Sequence, residues 1–126
     1  MIDTDLRTYI IGLGTAAGDR VFIGSVDATA TRPLVIIRRT GGSQRKTLSG
    51  VSLFRVSTFA IDVITNQYPH AYPVSEAILT ALHGFKGLLG STVVQLAKCI
   101  EFPSDQSEVD GDLVTRWVAS QYQFTH

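Results

Sequence analysis

Leu6, Tyr9, Ile10 and Leu13 follow the i, i+3, i+4, i+7 spacing of a single helical stripe, which predicts a short helix beginning near Thr4. Asp3 or Thr4 can accept the free N–H groups at its start, and Asp5 suits the positive end of its dipole. Gly12, Gly14 and Gly18 end it, and a helix this short needs something to pack on. The run Val21-Phe22-Ile23 reads as a brief strand, and residues 27–32 as a polar loop. Pro33 then opens the β-branched run of residues 34–37, at a strand position where Pro is tolerated.

Residues 40–46 combine Gly, Ser and positive charge and read as a loop. Strand pattern resumes over residues 51–65. Leu53, Phe59, Ile61 and Val63 share one parity there, while Phe54, Val56 and Ile64 share the other, so both faces are partly apolar. Residues 38–50 are therefore expected to form the tip of a long β-hairpin. Residues 66–73 read as a loop, with Pro73 in the first turn of a helix carried by Val74, Ala77, Ile78, Ala81, Leu82 and Phe85 and stopped by Gly84. Over residues 92–102 the alternation predicts a strand with Val94, Leu96, Ile100 and Phe102 on its apolar face. Gln95, Ala97, Cys99 and Glu101 fall on the other face, and Pro103 ends the run. Residues 104–112 form an acidic turn, and residues 113–124 the last strand, with Trp117 on its polar face as a contact site. The expected architecture is a single α+β domain over residues 1–126. It has a mainly antiparallel sheet, two helices packed on one face and a long β-hairpin.

Composition fits a folded chain of 126 residues, with 44% apolar and 17% charged residues. Eleven basic and eleven acidic residues cancel, which disfavours a general polyanion binder and favours association over mutual repulsion. The distribution is more informative than the sum. Residues 28–61 contain no acid but hold Arg32, Arg38, Arg39, Arg45, Lys46 and Arg55. Residues 99–115 contain no base but hold Glu101, Asp105, Glu108, Asp110 and Asp112. This segregation fits solvated loops, or loops that pair within one subunit. It also fits head-to-tail contact between copies, with Arg38, Arg39, Arg45 and Lys46 meeting Glu108, Asp110 and Asp112 and with Trp117 at an interface. A further reading has the basic tip facing nucleic acid in a channel.

Candidate chemistry is sparse. Gly12-Leu13-Gly14-Thr15-Ala16-Ala17-Gly18 misses the dinucleotide fingerprint, because its last Gly is one place late and the run follows a helix. His70, His83 and His126 have no second His or Cys at ligand spacing, so no metal is expected. The lone Cys99 reads as a buried apolar residue. No local frame marks a nucleophile, and neither catalytic residues nor a cofactor are expected. The acidic N-terminus is unlike a signal peptide, and no apolar stretch is long enough to span a bilayer.

Several of these segments together resemble the tail-completion or tail-terminator proteins of long-tailed phages, a family once catalogued only as a domain of unknown function. The matching residues are the N-terminal helix, Asp19-Arg20-Val21-Phe22, Pro33-Leu34-Val35-Ile36, and the strand over 54–64 with Asp62-Val63. They continue through the helix bearing Ala77, Ala81, Leu82, Gly84, Phe85 and Gly87 to a final strand with aromatics near the C-terminus. The segment after Pro33 departs from the family in carrying Leu34 where an aromatic is more usual. The resemblance implies a non-enzymatic α+β protein that forms a homohexameric ring at the head-proximal end of the tail tube. Such a ring stops tube polymerisation and presents the surface on which the head docks. The implied partners are further copies of the chain, the tail tube protein and a head–tail connector or neck protein. DNA would pass through the lumen without sequence-specific contact. The implied location is the virion, assembled in the host cytoplasm without a membrane.

Overall fold

The computed structural model describes residues 2–25, 30–47 and 50–126, the side chains of 43–54 and 113 excepted. Helix α1 (Ile2–Gly12) buries Ile2, Leu6 and Ile10 along one side, with Tyr9 and Leu13 packed at the margin of the core. It starts two residues earlier than the stripe predicts, so Asp3 and Asp5 both lie in its first turn, where the helix dipole favours negative charge. Gly14 and Gly18 take positive φ in the turns after it, leading into β1 (Val21–Ile23). The order is helix, turn, strand, the reverse of a dinucleotide fingerprint.

Strands β2 (Leu34–Thr47) and β3 (Gly50–Thr65) form the long hairpin. Pairing continues to Thr47 opposite Gly50, so residues 40–46 are strand and not the expected loop. The glycines make this possible. The register shifts between Arg39 and Gly41, and a Cβ on Gly42 would stand 3.1 Å from the Val56 carbonyl oxygen.

Helix α2 (Tyr68–Leu82) also begins earlier than expected. Pro69 sits in its first turn, where an N–H has no partner to lose, and Pro73 lies inside the helix. The single bond forfeited at Pro73 is offset by the buried face of Ala71, Val74, Ser75, Ile78 and Leu82. A small hairpin, β4 (Gly87–Leu89) with β5 (Thr92–Val94), stands apart from the main sheet.

Strands β6 (Leu96–Asp110) and β7 (Leu113–Thr125) complete a sheet of order β1-β2-β3-β7-β6, in which only β1 and β2 pair in parallel. Two expectations fail here. Pro103 does not end β6, because β6 is an edge strand and the ladder is irregular between Glu101 and Ser104, where a missing donor costs nothing. The acidic segment is consequently strand up to Asp110, and only Gly111 and Asp112 turn. The faces of β6 are also reversed. Gln95 separates β5 from β6, and the residues turned inward are Ala97 and Cys99, opposite Phe124 and Tyr122. Those two large rings fill the space, so β6 can contribute only small side chains. Leu96, Ile100 and Phe102, expected inside, are exposed.

Both helices pack on one face of the sheet. The core beneath them is built from Val35, Ile37, Phe59, Ile61, Val118 and Tyr122, with their same-face neighbours. Asp5 ties α1 to the small hairpin by accepting from the Ser91 and Thr92 hydroxyls at 3.1 and 2.6 Å.

Candidate functional site

The ladder registers place the two long hairpins at opposite ends of the sheet. Pairing between β3 and β7 runs from Val56 opposite Thr125 to Thr65 opposite Arg116, and His126 exchanges backbone bonds with Arg55. Beyond Arg55, β2 and β3 continue alone for five residues of β3, an overhang of roughly 17 Å. Beyond Thr65 at the other end, β6 and β7 continue alone through Glu108, Asp110 and Leu113, an overhang of about 10 Å. The ends of the shared β3–β7 ladder are nine residues apart along β3, roughly 30 Å. The basic arm and the acidic arm of one molecule therefore cannot meet.

The structure does not gather the basic residues at one point. Arg38 and Arg39 project from opposite faces of β2. On the face away from the helices, the Arg38 guanidinium donates to the Asp62 carboxylate at 3.1 Å. Arg39 lies over the Phe59 ring, 5.4 Å from its centroid. Arg45 and Lys46 belong to the overhanging part of β2, with Lys46 opposite Val51 and their side chains outside the described ones. Glu108, Asp110 and Asp112 are exposed at the far end. Trp117, opposite Gln106 and Ile64, is partly buried on the sheet face that no helix covers. Alternation puts Glu108 and Asp110 on that same face.

Within this open face Asp62 is mostly buried, and its carboxyl is held above the usual carboxylate range because loss of water outweighs the nearby Arg38. The helix face holds Cys99, Tyr122 and His126. Burial pushes the Cys99 thiol up, its S–H donates to the Glu101 carbonyl oxygen at 3.1 Å, and its amide donates to His83 Nδ1 at 3.0 Å. A raised, buried thiol is a poor nucleophile. Burial also pushes Tyr122 well above the ordinary phenol range. The His126 ring shares a 2.8 Å hydrogen bond with the Ser57 hydroxyl, and burial, then Arg55 and Arg39, lower its proton affinity. Both charged neighbours that act on the ring are arginines, which disfavour its protonated form.

An open depression of about 410 Å³, lined by Asn66, Gln67, Tyr68, Pro69 and Arg116, lies where α2 starts. Among the described residues no group of three His, Cys, Asp or Glu could hold a metal ion, and no helix is long and apolar enough to cross a membrane. Apolar exposure is more prominent. Leu88 and Val93, a cross-strand pair on the small hairpin, are 68% and 55% exposed, Phe102 is 65% exposed and Val109 68%. Sequence reasoning missed Leu88 and Val93 because two three-residue strands carry too little period to mark a face.

The chain matches no protein-family model and no curated protein. Among solved structures it is similar to a chain of the "Virion of native gene transfer agent (GTA) particle", with a TM-score of 0.68 and 16% sequence identity. The match covers 98% of this chain and 90% of that one, so the likeness is of the whole fold, from α1 to β7.

Proposed function

We propose that this chain is a structural protein of a virion, and that it forms a ring at the head-proximal end of a phage tail tube. The ring ends tube polymerisation and offers the surface to which the head docks. The observation that carries the reading is the end-to-end likeness to a chain of a gene transfer agent virion. Three features support it. The resemblance to tail-terminator proteins includes the N-terminal helix and is best from Asp19 onward. Among the described residues no helix packs on the second face of the sheet. Its two ends carry unlike charges, as head-to-tail contact between copies requires.

In this reading the chain works by assembly and carries no catalytic residues or cofactor. Arg38, Arg39, Arg45 and Lys46 belong to one side of a subunit or tube interface, and Glu108, Asp110, Asp112 and Trp117 to the other. The partners are five further copies, the tail tube protein and a connector or neck protein. DNA passes through the lumen in contact with backbone charge only. The location is the tail of the virion, assembled in the host cytoplasm. A neck or head-completion ring is the neighbouring possibility, differing in which ring it touches.

Electron microscopy of the purified chain mixed with polymerising tube protein tests the proposal. Rings seated at one end of shortened tubes are expected. Tubes of unchanged length with bare ends would remove the terminator role, and rings that bind only connector protein would favour the neck.

A further inference from the structure

We infer that copies of this chain join by strand addition, with the outer edge of β2 in one copy pairing antiparallel to the outer edge of β6 in the next. The inference rests on the head-to-tail part of the ring reading and specifies the contact.

Both edges are bare over the relevant stretches. β1 pairs only with Val35, Ile36 and Ile37 of β2, so among the described residues no strand lies outside residues 38–47. At the opposite edge of the sheet, the start of β6 is occupied. Gly84 donates to the Ala97 carbonyl, Ala97 donates to the Phe85 carbonyl, and the Cys99 amide donates to His83. From Ser104 to Asp110 no described strand lies outside β6. Two tyrosines of α2 brace that stretch from the helix side, Tyr68 through the Gln106 carbonyl at 2.7 Å and Tyr72 through the Asp105 carboxylate at 2.8 Å. These two bonds tie the stretch to α2, and an edge without a neighbouring strand is a template for pairing.

The charges select the partner. The bare stretch of β2 carries Arg38, Arg39, Arg45 and Lys46 and no acid. The bare stretch of β6 carries Asp105, Glu108 and Asp110 and no base. Each edge repels its own kind, which discourages symmetric edge-to-edge dimers, and each attracts the other. Direction agrees as well. β2 is antiparallel to β3, β3 to β7 and β7 to β6, so two copies side by side in the same orientation bring β6 of one antiparallel to β2 of the next. The bare stretches lie toward opposite ends of the sheet, so successive copies are staggered along the strands. A closed sheet absorbs such a stagger as strand tilt.

Two charge-reversed variants test this. R45E/K46E places negative charge at the tip of β2 and cancels the net positive charge of its edge, and E108K/D110K gives both edges a positive excess. Circular dichroism checks that each folds, since all four positions lie in exposed or overhanging strand. By light scattering, each variant alone should need at least about tenfold more protein than the unaltered chain to assemble. An equimolar mixture should assemble again, because the two altered edges match each other and so do the two unaltered ones. Either variant assembling like the unaltered chain, or a mixture that stays monomeric, would overturn the inference. Hydrogen exchange on the unaltered chain gives a second reading. Amides in residues 38–47 and 104–110 should gain protection together on assembly, and protection confined to other segments would refute strand pairing even if assembly depends on charge. These measurements use the chain alone, so failure to cap a tube would count against the terminator role and leave the pairing untouched.

Discussion

Gly90 shows how far one residue can reach. Its φ is +58°, and a Cβ there would lie 2.5 Å from an Asp5 carboxylate oxygen. Gly14 has a similar φ of +68° but open space around it. Gly14→Ala should therefore cost only the left-handed penalty, about 1–2 kcal/mol. Gly90→Ala should cost more, because it also pushes Asp5 away from the Ser91 and Thr92 hydroxyls and loosens α1 from the small hairpin. Thermal unfolding of the two variants side by side checks the order. Two carboxylates respond to pH in opposite senses. Hydrogen bonds from Thr92 and then Ser91 lower the Asp5 pKa in the folded state, so its contribution is present above the ordinary aspartate value and is lost as pH falls through the folded one. The Asp62 pKa is raised by burial, so its contribution runs the other way, being full below the ordinary value and lost as pH rises through the folded one. Asp5→Asn should flatten the acid limb of the stability profile, whereas Asp62→Asn should remove a loss of stability on the alkaline side of that limb. Arg38→Ala should raise the Asp62 pKa further and cost about 1 kcal/mol near neutrality, since the guanidinium is half exposed. Carboxyl-carbon NMR titration reports the shift directly.

At the scale of elements, the long apolar patterns were legible and the short or edge ones were not. The stripes of α1 and α2, the alternation of β7 and the β2–β3 hairpin follow from period alone, and the α+β order with both helices on one face follows from them. Proline misled twice, at Pro73 and Pro103. Whether a missing N–H matters depends on what lies opposite it, and sequence does not show that. β6 is the clearest lesson. Hydropathy assigned its larger side chains to the core, but the volume left beside Tyr122 and Phe124 admits only Ala97 and Cys99. The observed facing predicts that Ala97→Leu costs about 1–3 kcal/mol through overpacking, while Phe102→Ser changes unfolding by about 0.5 kcal/mol or less. Denaturant titration of both variants would give the reverse order if Phe102 and not Ala97 faced the core. Cys99 is buried, as composition led us to expect.

For the whole molecule, the separation of charge could be read from the chain, but its meaning could not. Residues 28–61 and 99–115 are marked by composition, yet only the strand register carries the overhanging tips of the two hairpins to opposite ends of the sheet and keeps those tips from pairing within one subunit. Arg38 and Arg39, neighbours in sequence, serve different faces, which no count of charges reveals. Association driven by these ends should weaken as salt rises from about 0.05 to 0.5 M, with the on-rate falling most. Stopped-flow light scattering across that range checks it. Replacing the exposed pair Leu88 and Val93 with Ser should leave monomer unfolding within about 0.5 kcal/mol, and any loss of assembly would then mark the small hairpin as a second contact.

The opposed hairpins give the molecule a direction, like an arrow with a positive point and a negative tail. A pair still shows one point and one tail, and so does every longer row. Only bending the row until its first member meets its last uses up every end, and the finished circle then has nothing left to recruit with.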